Sequence, residues 1–173
     1  MARGSAPVEI AELVKHHYAM LYRYAYRMCG SAHDAEDLTQ EVFCTAQAKL
    51  DQLRDKSAAR GWLCTILRNC YLRSARAHRR LSLIAWEDGT LDEAEAPPPP
   101  DDKIDPQRLQ EALDELPEEF RTPLVLFYFE EFSYREIAQQ IGVPIGTVMS
   151  RLARGKTRLR AMLGAVIAGR LES

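Results

Sequence analysis

The chain has 173 residues, 46% of them hydrophobic and 28% charged, with a formal net charge of -2. That is ordinary globular composition, enough for one domain or two small ones, and no apolar run approaches the about 20 residues that cross a bilayer. Residues 1–7 make no secretory signal, so the sequence predicts a cytoplasmic protein without membrane insertion. Cys29, Cys44, Cys64 and Cys70 include no CxxC. Their helical contexts predict small buried thiols instead of a zinc site, and disulfides are disfavoured in that compartment. The near-neutral total hides segregation: residues 87–119 are heavily acidic, while basic residues crowd into two predicted helices.

A first helix is predicted over about residues 8–29, where Ile10, Leu13, Val14, His17, Leu21, Tyr24, Ala25 and Met28 recur at helical intervals before Gly30. His17 reads as a core-edge histidine, since no second ligand type lies at metal spacing. Ser31 and Asp34 can cap a second helix that turns Leu38, Val42 and Phe43 inward and leaves Asp34, Glu36, Asp37 and Glu41 outside. The helix macrodipole accounts for Asp34 and Glu36 near the start. Asp37 and Glu41 lie one turn apart on a shared face, an arrangement suited to a protein partner.

A polar, basic loop over 51–57 leads to a third helix, predicted for about 58–80, with Trp62, Leu63, Ile66, Leu67 and Cys70 on its buried face. Its second half changes character. Asn69, Arg73, Arg76 and Arg80 fall at helical spacing beside Arg68 and Arg79, more cations than a helix C-terminus needs to complement its dipole. This is a polyanion footprint. Periodicity then fades over 81–104, where carboxylates and a run of prolines predict a linker, semi-rigid at the prolines and extended by charge repulsion. Asp105 and Pro106 restart the chain as N-cap and first-turn proline, with Leu109, Ala112, Leu113 and Leu116 inward. After Pro117 comes the most apolar segment, predicted as the central core helix, with a kink or a late start imposed by Pro123.

Ser133 and Glu136 have the spacing of a capping box, so a helix is expected to begin at Tyr134 and to bury Ile137, Ala138 and Ile141. Gly142 and Pro144 end it in a tight turn. A second helix from near Gly146 places Val148, Leu152 and Leu159 on one stripe and Thr147, Arg151, Arg154 and Arg158 on the next. Helix, glycine turn and basic helix make a helix-turn-helix, whose second helix fits the DNA major groove. A basic stripe can be a merely solvated face, but no acidic residue lies between Ile145 and Gly169. Unpartnered like charges of that density call for a polyanion. Beyond Leu163 the chain is expected to fray. Gly155-Lys156-Thr157 resembles the end of a phosphate-binding loop, but Ser150 stands where its first glycine belongs, and a helix precedes it. No nucleophile elbow, metal-binding HExxH or dinucleotide glycine pattern occurs, so no catalytic residue, metal or cofactor is predicted. The fold expectation is all-α: an N-terminal helical bundle over 8–80, an acidic Pro-rich linker over 81–104, and a C-terminal four-helix domain with the helix-turn-helix over 105–165.

With these elements placed, the chain resembles bacterial RNA polymerase sigma factors of the small extracytoplasmic-function (ECF) group. DAEDLTQEVF at 34–43, GWLCTILRNCYLRSAR at 61–76 and the long segment at 116–160 carry the resemblance, which covers nearly all of 10–163. It implies a transcription initiation factor, not an enzyme, with core RNA polymerase, promoter DNA and an anti-sigma factor as partners. In that family the second helix docks on the polymerase, which implies docking by Asp37, Gln40 and Glu41. The loop and third helix resemble the part that opens the -10 element and holds an unstacked base. That assigns Asn69 to melted DNA and Arg54, Lys56, Arg68, Arg73 and Arg76 to a cationic rim. The helix-turn-helix resembles the reader of the -35 element. Ser150 and Arg154 would face base edges or phosphates, Arg151, Lys156 and Arg158 would mainly position the DNA backbone, and Thr147 would share that surface. Relatives often carry a basic residue where Met149 stands and a larger one where Ala153 stands. Base specificity therefore does not transfer, and contact with a thymine methyl opens. The acidic linker resembles the segment that threads the polymerase's RNA exit path.

Two other classes compete. A sigma mimic would bind an anti-sigma protein as a decoy without touching DNA, yet the arginines on both DNA faces are retained. A stand-alone helix-turn-helix regulator would leave the carboxylate face and cationic helix of the first domain without a purpose.

Overall fold

A computed structural model describes residues 9–82 and 105–171. Nearly all of the expected linker, from residue 83 to 104, lies outside them. The described residues form seven α-helices and no strand, and the chain divides into two compact units on either side of Ile84 and Ala85. The all-α expectation is met.

In the first unit α1 (Ile10–Cys29), α2 (Ala32–Ala48) and α3 (Ala59–Ser82) pack mutually as a three-helix bundle. Gly30 ends α1 in the left-handed region at φ 72, a conformation open to glycine at little cost, with its N–H on the Tyr26 carbonyl. Ser31 Oγ accepts from the Asp34 N–H to start α2. The two caps leave a connection of only Gly30 and Ser31, so α1 and α2 are bound to lie side by side. Leu21, Tyr24, Met28, Val42, Leu63 and Leu67 are fully buried between the three helices. Leu53 is buried from the connecting loop, which forms two 3-10 turns, Leu50–Gln52 and Lys56–Ala58, and so fixes the entry to α3.

Several expectations need correction here. Trp62 is half-buried, and Cys64 takes a core place beside Leu63, Ile66, Leu67 and Cys70. Cys44 is exposed and Cys29 half-buried, so only two of the four thiols sit in the core. One residue past the buried Phe43, Cys44 has already turned about 100° away from the inward stripe.

The second unit holds α4 (Pro106–Glu115), α5 (Glu118–Tyr128), α6 (Tyr134–Ile141) and α7 (Ile145–Leu171). α7 packs against each of the others, and α5 packs against α6. Asp105 caps α4 through the Gln107 N–H with Pro106 in the first turn. Leu109 is half-buried, while Gln110 is buried and donates its amide to Asp114 Oδ1 at 2.9 Å. α5 begins directly after Pro117 and keeps Pro123 inside, so of the expected kink or late start the late start does not occur. The proline forfeits one intrahelical donor at a cost of about 3 kcal/mol. Phe120, Leu124, Val125 and Leu126 are all buried in the same helix, at about 1.5–3 kcal/mol each. Burial therefore outweighs the missing bond. α7 continues as a helix past Leu163 to Leu171.

Candidate nucleic-acid interface

The helix-turn-helix is held by local bonds that its sequence announces. The Ser133 N–H donates to Glu136 Oε2 at 2.7 Å, and Ser133 Oγ accepts from the Glu136 N–H at 3.3 Å, the reciprocal capping box. Gly142 turns left-handed at φ 68, and the Gly142 and Val143 N–H groups both reach the Ala138 carbonyl. Pro144 then accepts from the Thr147 and Val148 N–H groups to open α7. Ile137 and Ile141 on α6 and Val148 and Leu152 on α7 are buried, leaving the opposite side of α7 to solvent.

The structure sorts the predicted reading surface. Met149, Ser150, Ala153, Arg154 and Lys156 are exposed, while Thr147 and Arg151 are half-buried. Arg158 turns back onto the domain, its guanidinium carbon 4.5 Å from the centre of the Phe120 ring, a cation–π contact. The expected stripe of Thr147, Arg151, Arg154 and Arg158 is thus graded, and only Arg154 stands fully out. Ile145, which the sequence reading passed over, is 42% exposed at the helix start. Its apolar character pointed to core; its place ahead of the first buried residue, Val148, was the available signal.

In the first unit Asp37, Gln40 and Glu41 are exposed together on α2. Asp37 pairs with His33 at 3.5 Å. Glu41 Oε1 accepts from Arg73 Nη2 at 3.0 Å, and that guanidinium also donates to Cys70 Sγ at 3.2 Å. Burial, and then the charge of Glu41, push the Cys70 thiol above its ordinary pKa, so it stays neutral as an acceptor. One ion pair therefore joins the acidic face of α2 to the cationic end of α3.

Between those helices lies a cleft of ≈ 350 Å³ lined by Asn69, Cys70, Arg73 and Arg76 of α3 with Ile66 and Leu72, and by Thr45 and Lys49 from the α2 side. Three of the predicted residues, Asn69, Arg73 and Arg76, meet there; Arg54, Lys56 and Arg68 do not line it. Lys49 was missed, although it sits one turn past Thr45 on the same side of α2. Arg79 and Arg80 lie outside the described side chains.

Lys56 is engaged elsewhere, its Nζ 2.8 Å from Glu12 Oε2. That hydrogen bond first, and then the lysine's charge, hold the Glu12 carboxyl below the ordinary carboxylate value. A depressed folded value means that the pair contributes above the ordinary carboxylate range and is lost as pH falls through the folded value. In Lys56→Gln the Glu12 carboxyl is expected to titrate at higher pH than in the parent. A carboxyl carbon NMR titration checks this; an unmoved midpoint refutes the pairing.

The family models described as Sigma-70 region 2 and Sigma-70, region 4 match residues 13–81 and 107–159. The ECF RNA polymerase sigma factor SigE of Mycolicibacterium smegmatis is 42% identical over 156 residues, covering 88% of this chain; the chain spans 60% of that relative's length. The ECF RNA polymerase sigma factor SigL of Mycobacterium tuberculosis is 34% identical over 171 residues, 94% of this chain and 96% of SigL. Among solved structures, the sigma factor RpoE of Bartonella quintana, in complex with the anti-sigma factor NepR, matches with a TM-score of 0.73 and 30% identity over 89% of this chain and 96% of that one. The chain belongs to the ECF RNA polymerase sigma factors, the promoter-directing proteins whose regions 2 and 4 it carries in order. No helix among the described residues is long and apolar enough to cross a membrane.

Proposed function

We propose that this chain binds core RNA polymerase through Asp37, Gln40 and Glu41, and engages promoters at a -10 element with its first unit and at a -35 element with its second. It acts by binding alone, in the cytoplasm, and catalyses no covalent step. The observation that carries the reading is α7, whose solvent side presents Arg154 and Lys156 on a helix without one carboxylate, behind a fully formed helix-turn-helix. Such a surface suits a polyanion in the major groove. In the first unit, Asn69, Arg73, Arg76 and Lys49 around the cleft supply amide hydrogen-bonding groups and cations, the chemistry for an unstacked base and its phosphates. Arg54, Lys56 and Arg68, which do not line the cleft, are proposed to meet DNA phosphates outside it. The residues 81–104 join the two functions. Because RpoE was solved with an anti-sigma factor, a regulator of that kind is proposed to hold this chain inactive.

Run-off transcription with purified core polymerase on a genomic fragment library tests the reading. Discrete promoter-dependent transcripts are expected, and none with the chain omitted; their absence overturns it. Replacing Asp37 and Glu41 together with alanine is expected to spare the fold, because both are exposed, and to weaken core polymerase binding by about tenfold or more, as loss of close interfacial charges does. Fluorescence anisotropy of labelled chain with core enzyme measures this. Parent affinity in the double variant rejects the assigned face.

A further inference from the structure

We infer that α7 reads the 5-methyl groups of thymines through an apolar ridge of Ile145, Met149 and Ala153, an inference that rests on the promoter-binding reading above and adds what that helix selects. The three residues stand at i, i+4 and i+8, so they share one face, and all three are exposed. Ile145 is 42% and Met149 52% exposed. Single apolar side chains on a surface need no explanation. Here two large ones lie a turn apart in the first two turns of a helix whose next turns carry exposed Arg154, Lys156 and Arg160.

The side chains that commonly read bases are displaced from this ridge. Arginine gripping guanine is the most frequent specific contact; Arg158 is committed to the Phe120 ring and Arg151 is half-buried, which leaves Arg154, one position past Ala153 and so about 100° around the helix from it, as the exposed arginine of that stripe beside the ridge. Ser150 borders the ridge, and its hydroxyl donates to the Thr147 carbonyl at 3.0 Å, which leaves its oxygen free to accept. At Gly146 an added Cβ would meet nothing within 4 Å, so the first turn offers bare backbone next to Ile145 and Met149. The face can approach closely, and the ridge along one side of it is apolar. In the major groove the one apolar group on a base edge is the thymine methyl. The flanking cations favour DNA over a protein as the ridge's occupant.

The test uses holoenzyme reconstituted from the full chain and core polymerase. Random duplexes are selected for binding, and each thymine of the upstream element is then replaced in turn by deoxyuridine, which removes only the methyl. About fourfold weaker binding is expected for each contacted methyl, the factor that burial of one such group supplies. That sensitivity is expected to vanish in Met149→Ser or Ile145→Ser, whose unchanged melting temperatures show that the fold is kept. Parent-like affinity for every uracil duplex overturns the inference, as do an upstream element without thymine and a loss that persists in both variants. So does Met149→Ser weakening core polymerase binding while uracil has no effect, which makes the ridge a protein contact. These outcomes leave promoter-directed transcription intact; its absence on unmodified DNA defeats the reading beneath as well.

Discussion

Gly155→Val is expected to destabilise the second unit by about 2–3 kcal/mol, the upper part of the range for overpacking a filled core. α7 passes α5 at this residue, which is buried. A Cβ there would lie 3.0 Å from Leu124 Cδ1, 3.2 Å from Phe120 Cβ and 3.3 Å from Leu124 Cγ. Leu124 is itself buried, leaving its side chain little room to swing, and Phe120 Cβ moves only with the backbone of α5. Glycine inside a helix costs about 1 kcal/mol relative to alanine. Gly155→Ala therefore sets a propensity gain against a milder clash and is expected to lie well below the valine variant. The glycine that resembles part of a phosphate loop is in fact a packing residue. Chemical denaturation with amide hydrogen exchange resolves the effect, with lost protection expected in α5 and α7. Parent stability in the valine variant would refute the close contact.

Arg154→Ala is expected to weaken promoter binding by about 1–3 kcal/mol, the usual loss for a groove contact. Its side chain is exposed and makes no ion pair among the described residues, so the charge is available to a ligand and the fold does not depend on it. Arg158→Ala serves as the contrast. Stacked on Phe120, it is expected to cost about 0.5–2 kcal/mol of stability through the lost cation–π contact, with a smaller effect on DNA. Holoenzyme binding to a matched promoter across a salt series separates the two. Equal losses of DNA affinity at the two arginines would contradict the graded surface.

The features legible in the sequence are those that residues a few positions apart decide for themselves. Ser133 with Glu136, Gly142, Gly30, Ser31 with Asp34, and Asp105 with Pro106 each cap or end a helix through bonds within one turn, so type and spacing were sufficient. The all-α architecture followed from apolar periodicity. What sequence spacing could not show is which distant side chain occupies an arginine or lysine. Arg158 looked free until Phe120 came beneath it, Lys56 until Glu12 did, and Arg73 until Glu41 and Cys70 did. Lys49 joined the cleft only because α2 lies against α3. Pro123 misled for a related reason: its helix-breaking tendency is local, whereas the burial that overrides it comes from the rest of the domain.

The contact between Glu41 and Arg73 has a reciprocal consequence. A basic group drawn to the carboxylate sets the guanidinium loose toward the cleft, and an anion entering the cleft does the same for the carboxylate. If both surfaces bind as proposed, occupancy of either would raise affinity at the other by an equal factor. The tie is solvent-exposed and so worth at most about 1 kcal/mol, weak enough for either visitor to displace.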